Sequence, residues 1–560
     1  MSKPLTNPPR TPQIAARPNN ASWHTLFAAL LLGLAVWLLH GSALQGFWRV
    51  DDPLILLYIS GHPRLPGYFF SPGQWQALGV PFFTPWLTLD YWLDAHLFGL
   101  APRGFYLHHL IMIWATALAS YLLLRRPLGQ FWAGAASILF LAGGPSLIVA
   151  QQLMSRHYVT GLLFMLLALY FWLQARGRPL GWQLGVATAC YLAAMLNKEV
   201  YAPLPLVLLF LGQDSLRQRL AALVPFALTA LGFVLWRGTM LGTAVGGYGA
   251  LTSPRKWLMS LTSLPEALLG PGLLAPLALT ALLLGSLWLF RRSAPLLLAA
   301  GLGITLPFLA VRVSADVLDL RYLFLPWWAL CCLLAATGQQ LMVQMRQRTT
   351  KLSPAYLLLP LLLLIPLAAL NQAMQQQTAH GAIASQFDVQ GRFLWEHDRD
   401  RAYIPAGAVA GALQFQGGLT QLKQLQGLPP TPLAAPTPAS ATAFAGSLPL
   451  HAYDEEQRQM RPLPPPVPQE QQAGLLAQVH LDRRQGGLEW FISDLADSRC
   501  FLLFPSQNAS FLVPCAGRIG FEPHPLAQGE LRVMVSLANG AWETTPPLQF
   551  PARGELLAWP

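Results

Sequence analysis

Charge is scarce in this chain. Asp, Glu, Lys and Arg together make up 11% of 560 residues, where a soluble globular chain carries about 25%. That shortage excludes an ordinary water-soluble fold. Cysteine is scarce too. There are five, with no Cys-x-x-Cys or His–Cys spacing, so the usual zinc and redox motifs are absent. No GxxxxGK[ST] run occurs, and the Gly-rich stretch GTAVGGYGALTSP (242–254) follows no strand. Both points argue against a nucleotide-sugar donor or ATP drive. The surplus of 36 basic over 25 acidic residues comes with no aromatic–basic module, so nucleic acid is not an expected partner. No internal repeat suggests the paired halves of a transporter. The first apolar block has no small-residue cleavage site after it and reads as an anchor.

What is abundant is apolar sequence: 54% of residues. It comes in blocks of about 17 to 22 residues, the length that spans a bilayer core as a helix. Eleven such blocks lie at approximately 24–44, 105–124, 131–150, 158–175, 181–196, 200–212, 220–237, 273–290, 295–312, 322–341 and 353–370. The block at 200–212 is short and broken by Pro203 and Pro205. Basic residues mark one side: Arg125–Arg126, Arg176 with Arg178, Arg217 with Arg219, Arg291–Arg292, and Arg346, Arg348 and Lys351. By the positive-inside rule these loops and the tail 1–23 are cytoplasmic. An odd number of spans then places the C-terminal region outside. The expected fold is mainly α, a polytopic membrane domain over 24–370 with a C-terminal extracytoplasmic β-rich domain.

Asp51–Asp52 leaves the first span directly, at the head of an external loop over 51–104. Two adjacent carboxylates at a membrane surface are costly to desolvate and usually serve a purpose. Within the loop, residues 85–98 place Trp86, Leu89, Leu93 and Leu97 on one stripe at helical spacing. The spacing predicts an amphipathic helix along the outer surface, either a cover over a cavity or a plain interfacial anchor.

The order of these features resembles a known family. A spanning helix, an acidic pair and a long loop lead into FFTPWLTLDYWLDAHLFGLAPRGFYLHHLIMIWATALASYLLLRR (82–126), then NKEVYAPLPLVLL (197–209) and DLRYLFLPWWALCCLLA (319–335). Over about residues 24–370 this resembles the GT-C superfamily of membrane glycosyltransferases, especially the protein O-mannosyltransferase and lipid A aminoarabinose-transferase branches. The chain departs from the family at Thr84, where some relatives carry a basic residue, at Tyr106, where His is common, and at His109, where Asn is common.

The resemblance implies a sugar carried on a polyprenyl phosphate, transferred with inversion to an acceptor hydroxyl or amide outside the membrane. Such attack needs a carboxylate to take the acceptor proton. An oxocarbenium-like carbon needs negative charge nearby, and a departing phosphate needs fixed positive charge. By resemblance, Asp51 is the base and Asp52 orients it, binds a sugar hydroxyl or joins it on a divalent metal. Lys198 and Arg321, with Arg156 and His157, are candidates for the donor phosphate. Glu199, Tyr322 and Tyr58 are supporting residues. Snorkelling to the interface is the plain alternative for Lys198. No cofactor is otherwise implied. The expected partners are membrane lipid, the polyprenyl-phosphate sugar and an acceptor protein, lipid or glycan. The expected location is the inner membrane of a bacterium, with the site and C-terminal region periplasmic. An O-antigen ligase- or polymerase-like protein is the nearest alternative, and a lipid-linked sugar transporter a more distant one.

Residues 371–472 read as a Pro/Gln-rich external linker with a short helix near 382–398, and 473–560 as a small β-sandwich with a hairpin at RRQGG (483–487). In an oxidising compartment Cys500 and Cys515 are expected to pair. Cys190, Cys331 and Cys332 are expected to pack as small apolar side chains.

Overall fold

The computed structural model describes residues 20–78, 82–175, 181–211, 215–243, 263–305, 320–347, 354–405, 410–465, 472, 475, 480–482, 487–491, 498–504, 509–513, 515–520 and 530–549. The glycine-rich loop read at 242–254 lies almost wholly outside them.

The protein is a mainly helical, multi-span membrane protein with a C-terminal sheet region. The longer helices are α1 (Asn20–His40), α2 (Asp52–Gly61), α3 (Pro85–Phe98), α4 (Pro102–Ala142), α5 (Arg156–Gln174), α6 (Trp182–Asn197), α7 (Leu216–Leu241), α8 (Leu274–Leu289), α9 (Ala294–Thr305), α10 (Phe324–Arg346), α11 (Leu359–Glu396) and α12 (Ala410–Leu425). Among the described residues, six helices are long and apolar enough to cross a membrane, or seven if one bent pair is a single span. That is fewer than eleven for local reasons. The blocks at 105–124 and 131–150 join in α4, which breaks after Pro127 at Gly129 (φ 79°). α6 has 16 residues, short for a span, and the block at 295–312 runs past the described residues after Thr305.

α3 forms where the stripe predicts it. Thr88, Asp90, Tyr91 and Asp94 are buried, while Leu93, Leu97 and Phe98 are exposed. Next to lipid the apolar face points out and the polar face turns in, the reverse of a helix on a soluble core.

The linker reading of 371–472 is corrected. α11 runs on without a break to Glu396, so 38 residues form one rod about 57 Å long. Beyond Leu370 its Gln- and Ala-rich sequence loses hydrophobicity but keeps helix propensity. After it, β1 (Ala402–Ile404), β2 (Leu433–Ala434), β3 (Leu450–Asp454) and β4 (Gln459–Pro462) make a sheet of order β2-β1-β3-β4. β1 pairs in parallel with β2 and β3, and β3 pairs antiparallel with β4. A parallel pair needs a crossover, and α12 supplies it between β1 and β2. The segment is therefore a small α/β unit. Its proline runs hid the pattern because proline carries no apolar period.

The β-rich region follows. β5 (His480–Asp482) and β6 (Gly487–Phe491) pair antiparallel across the expected hairpin, and β9 (Ala516–Gly520) completes that sheet. A second sheet orders β11 (Trp542–Thr544), β10 (Glu530–Ser536), β7 (Arg499–Phe504) and β8 (Ala509–Val513), with β12 (Leu548–Gln549) beside β10. Cys500 and Cys515 form a disulfide, and the other three cysteines are free.

Two cores result. One fills the helix bundle. The other sits at the exit of α1 and joins Phe47, Trp48, Tyr91, Phe105 and Tyr106 to Phe387 and Phe393 of α11 and to Phe415 and Leu419 of α12. α12 lies directly on α2. A Cβ added at Gly418 would stand 3.0 Å from the Pro53 side chain and 3.3 Å from the Leu54 backbone nitrogen, so any larger residue would push the two helices apart by a few tenths of an ångström. The small α/β unit thus packs onto the helix that begins at the acidic pair.

Candidate functional site

The acidic pair opens α2. Asp51 is its N-cap, Asp52 its first residue, and Pro53 follows, where a missing N–H costs nothing. A helix N-terminus also favours negative charge. The two carboxylates differ sharply in surroundings. Asp52 is 0% exposed. One of its oxygens accepts from the Tyr91 hydroxyl at 2.6 Å, and the other accepts from the Arg49 backbone N–H at 2.8 Å. Burial pushes its carboxyl up to about 7, against the pull of those two hydrogen bonds. Asp51 keeps partial exposure. Burial raises its carboxyl as well, and the charge of Arg321 holds the rise back.

Lys198 follows the last residue of α6 in an extended conformation (φ −157°, ψ 135°) that ends the helix. Its side chain is buried, contrary to snorkelling. The ammonium lies 3.5 Å from the Phe82 ring centroid and 5.6 Å from that of Tyr158. Among the described residues no acceptor hydrogen-bonds its Nζ. Burial lowers Lys198 to about 7, Glu199 opposes that shift, and the charges of Arg321 and Arg237 add to it. Arg321 stands in the turn before α10, stacked on Tyr322 at 5.3 Å, with Nη1 3.8 Å from the Met154 sulfur. It acts electrostatically on Asp51, Lys198 and His157 alike. Arg321 thus lies within electrostatic reach of both Asp51 and Lys198, which come from segments far apart in sequence.

The remaining sequence candidates divide. His157 is buried at the start of α5, 4.4 Å from the Tyr158 ring and within electrostatic reach of Lys198 and Arg321. Tyr322 meets Tyr158 edge to face at 6.1 Å. Glu199 is held by Arg237 at 2.5 Å and so braces the Lys198 turn. Arg156 is already occupied. Its Nη1 donates to Asp94 at 2.5 Å and its Nη2 to the Phe105 carbonyl at 2.7 Å, with the side chain 0% exposed. Its charge neutralises Asp94 inside the bundle, a structural role that a short-loop Arg–His pair does not announce. Tyr58 stacks with His62, Tyr68 and Trp75, and its buried hydroxyl makes no hydrogen bond among the described residues.

Sequence reasoning missed Tyr91, which orients Asp52, and Arg49, whose backbone does the same. Tyr91 was within reach: Thr88, Tyr91 and Asp94 recur every three residues along one face of α3.

A metal on the pair fits poorly. Both Asp52 oxygens already have donors, and no group of three His, Cys, Asp or Glu side chains gathers among the described residues.

Asp52 also sets a pH dependence of stability. Its folded pKa lies above the unfolded value of 3.8, so the cost of charging it is absent below about pH 4 and grows until about pH 7. Stability is lost as pH rises through that window. In Asp52→Asn that loss disappears. Thermal unfolding of the two proteins should diverge from pH 4 upward, the variant being favoured by on the order of 4 kcal/mol at pH 8. Parallel curves would show that Asp52 is not charged at a cost.

No family model matches this chain, and no curated protein matches it. Among solved structures it is similar to ArnT from Cupriavidus metallidurans bound to undecaprenyl phosphate, at 16% identity and TM-score 0.43 over 78% of this chain and 94% of that one. It is also similar to the archaeal oligosaccharyltransferase AglB from Archaeoglobus fulgidus in complex with an inhibitory peptide and a dolichol-phosphate, at 13% identity and TM-score 0.44 over 78% of this chain and 70% of that one. Both belong to the GT-C superfamily that the sequence motifs resemble.

Proposed function

We propose that this protein is a membrane glycosyltransferase that moves a sugar from a polyprenyl phosphate to an acceptor on the outer face of a bacterial inner membrane. The observation that carries the reading is that Asp51 and Lys198, from segments far apart in sequence, both lie within the electrostatic reach of Arg321. Asp51 takes the proton from the acceptor. The acceptor oxygen or nitrogen forms its bond to the anomeric carbon as the bond to the phosphate oxygen breaks, and that oxygen keeps the electron pair. Lys198 and Arg321 receive the negative charge on the departing lipid phosphate, Arg321 with the planar fork suited to oxyanions. Asp52, held by Tyr91 and Arg49, keeps Asp51 in place from behind. One carboxylate acting as base gives a single displacement and inversion. No step is assigned to a metal.

The purified full chain in detergent should transfer sugar from a synthetic polyprenyl-phosphate monosaccharide and not from a nucleotide sugar. Transfer only from a nucleotide sugar, or only from a diphosphate-linked oligosaccharide, would overturn the donor class.

A further inference from the structure

The turn that carries the acidic pair is strained. Val50, between Arg49 and Asp51, has φ 46°. A β-branched residue in the left-handed region persists only where its surroundings over-determine it. The surroundings here come from α11. Asp388 accepts from Arg49 Nε at 2.7 Å and from Arg49 Nη2 at 2.6 Å, one bond to each carboxylate oxygen. The same carboxylate accepts from the Phe47 backbone N–H at 2.9 Å. The third arm of the guanidinium donates to the Gln151 carbonyl, and its plane lies 5.6 Å from the centre of the Tyr106 ring. Neither partner is free in water: the Arg49 side chain is 8% exposed and that of Asp388 18%. From the clamped Arg49, the backbone N–H reaches Asp52 at 2.8 Å. A line of direct bonds thus runs from α11 through Arg49 to the carboxylate behind Asp51.

We propose that Asp388 is a positioning residue for the transfer reaction: its two-pronged grip on Arg49 holds the strained Val50 turn and thereby aims Asp51. This rests on the reading of Asp51 as the base. A grip of this shape needs two parallel N–H···O bonds, which a lysine ammonium cannot make. It is also sited apart from the membrane motifs, on the extension of α11 beyond its apolar part, so the C-terminal part of the chain helps build the reaction centre.

The test uses the full-length protein in detergent with three variants: Asp388→Asn, Asp388→Glu and Arg49→Lys. Thermal stability, hydrogen exchange of the amides at 47–55, and kcat and KM for the polyprenyl-phosphate sugar are measured together. Misaiming a reacting group by about 1 Å costs roughly 100-fold in rate. Asp388→Asn should lower kcat by about that factor with donor KM within about threefold. Exchange should quicken at 47–55 and little elsewhere. Asp388→Glu should recover much of the rate, and Arg49→Lys should match Asp388→Asn. Combining Arg49→Lys with Asp388→Asn should cost no more than either alone, since both break one grip. If Asp388→Asn does not fold, Arg49→Lys carries the same comparison. Unchanged exchange at 47–55, or a well-folded variant with wild-type kcat, overturns the proposal. If wild-type protein transfers nothing from this donor, the functional reading fails by itself, and the exchange measurement alone decides whether Asp388 holds the turn.

Discussion

Asp51→Asn should lower kcat by about 10²- to 10⁴-fold while leaving donor affinity nearly unchanged. Asn has the shape of Asp and keeps the N-cap position, so the helix start survives while the base is lost. The choice of Asp51 over its neighbour is structural. Both Asp52 oxygens are spoken for by Tyr91 and Arg49, whereas Asp51 keeps partial exposure and faces the charge of Arg321. Burial raises the Asp51 carboxyl, which makes it a stronger general base. The pH profile follows from the same groups. On the acid side, kcat/KM should climb as Asp51 loses its proton. On the alkaline side it should fall as Lys198 does, since burial lowers that amine to about 7. In Asp51→Asn the acid limb should vanish and the alkaline limb remain. Wild-type turnover in the variant would remove the base assignment.

Replacing Lys198 should cost nearly as much. Lys198→Met keeps the length and apolar stem but removes the charge, and loss of one fixed stabiliser of a developing anion costs about 10²- to 10³-fold. The ground state should report it too. With a free-enzyme pKa near 7, Lys198 is charged below that value and must take up a proton to bind an anion above it. Affinity for polyprenyl phosphate should therefore be flat in acid and weaken by up to about tenfold per pH unit above neutrality. Lys198→Arg, always charged, should flatten that slope even where its larger fork fits less well. A slope that persists in Lys198→Arg would assign the alkaline limb to another group.

Much of this arrangement was legible before any coordinates. Asp51–Asp52, Lys198 and Arg321 each stand at the end of an apolar block, and a charge at that place is costly enough to stand out. What the sequence hid was which charges are already taken. Arg156 and Lys198 look alike as lone cations at helix ends, yet Arg156 is locked to Asp94 while Lys198 lies against the Phe82 and Tyr158 rings and makes no ion pair among the described residues. That difference depends on where Asp94 points, and Asp94 points inward on the face of α3 opposite the exposed Leu93 and Leu97. Asp388 was hidden for a similar reason. Its segment reads as a short helix inside a linker, since the Gln- and Ala-rich end of α11 carries helix propensity without the hydrophobicity that would join it to the span before it. Parallel pairing of β1 with β2 and β3 joins distant short strands, which no local pattern announces.

The most direct measurement is a cryo-EM structure of the full chain with a polyprenyl phosphate bound. The proposed chemistry places phosphate oxygens at about 3 Å from both Lys198 Nζ and the Arg321 guanidinium, with the Asp51 carboxylate facing the position of the sugar carbon. A lipid phosphate seated elsewhere, with Lys198 still buried against Phe82 and Tyr158 and touching no anion, would contradict it.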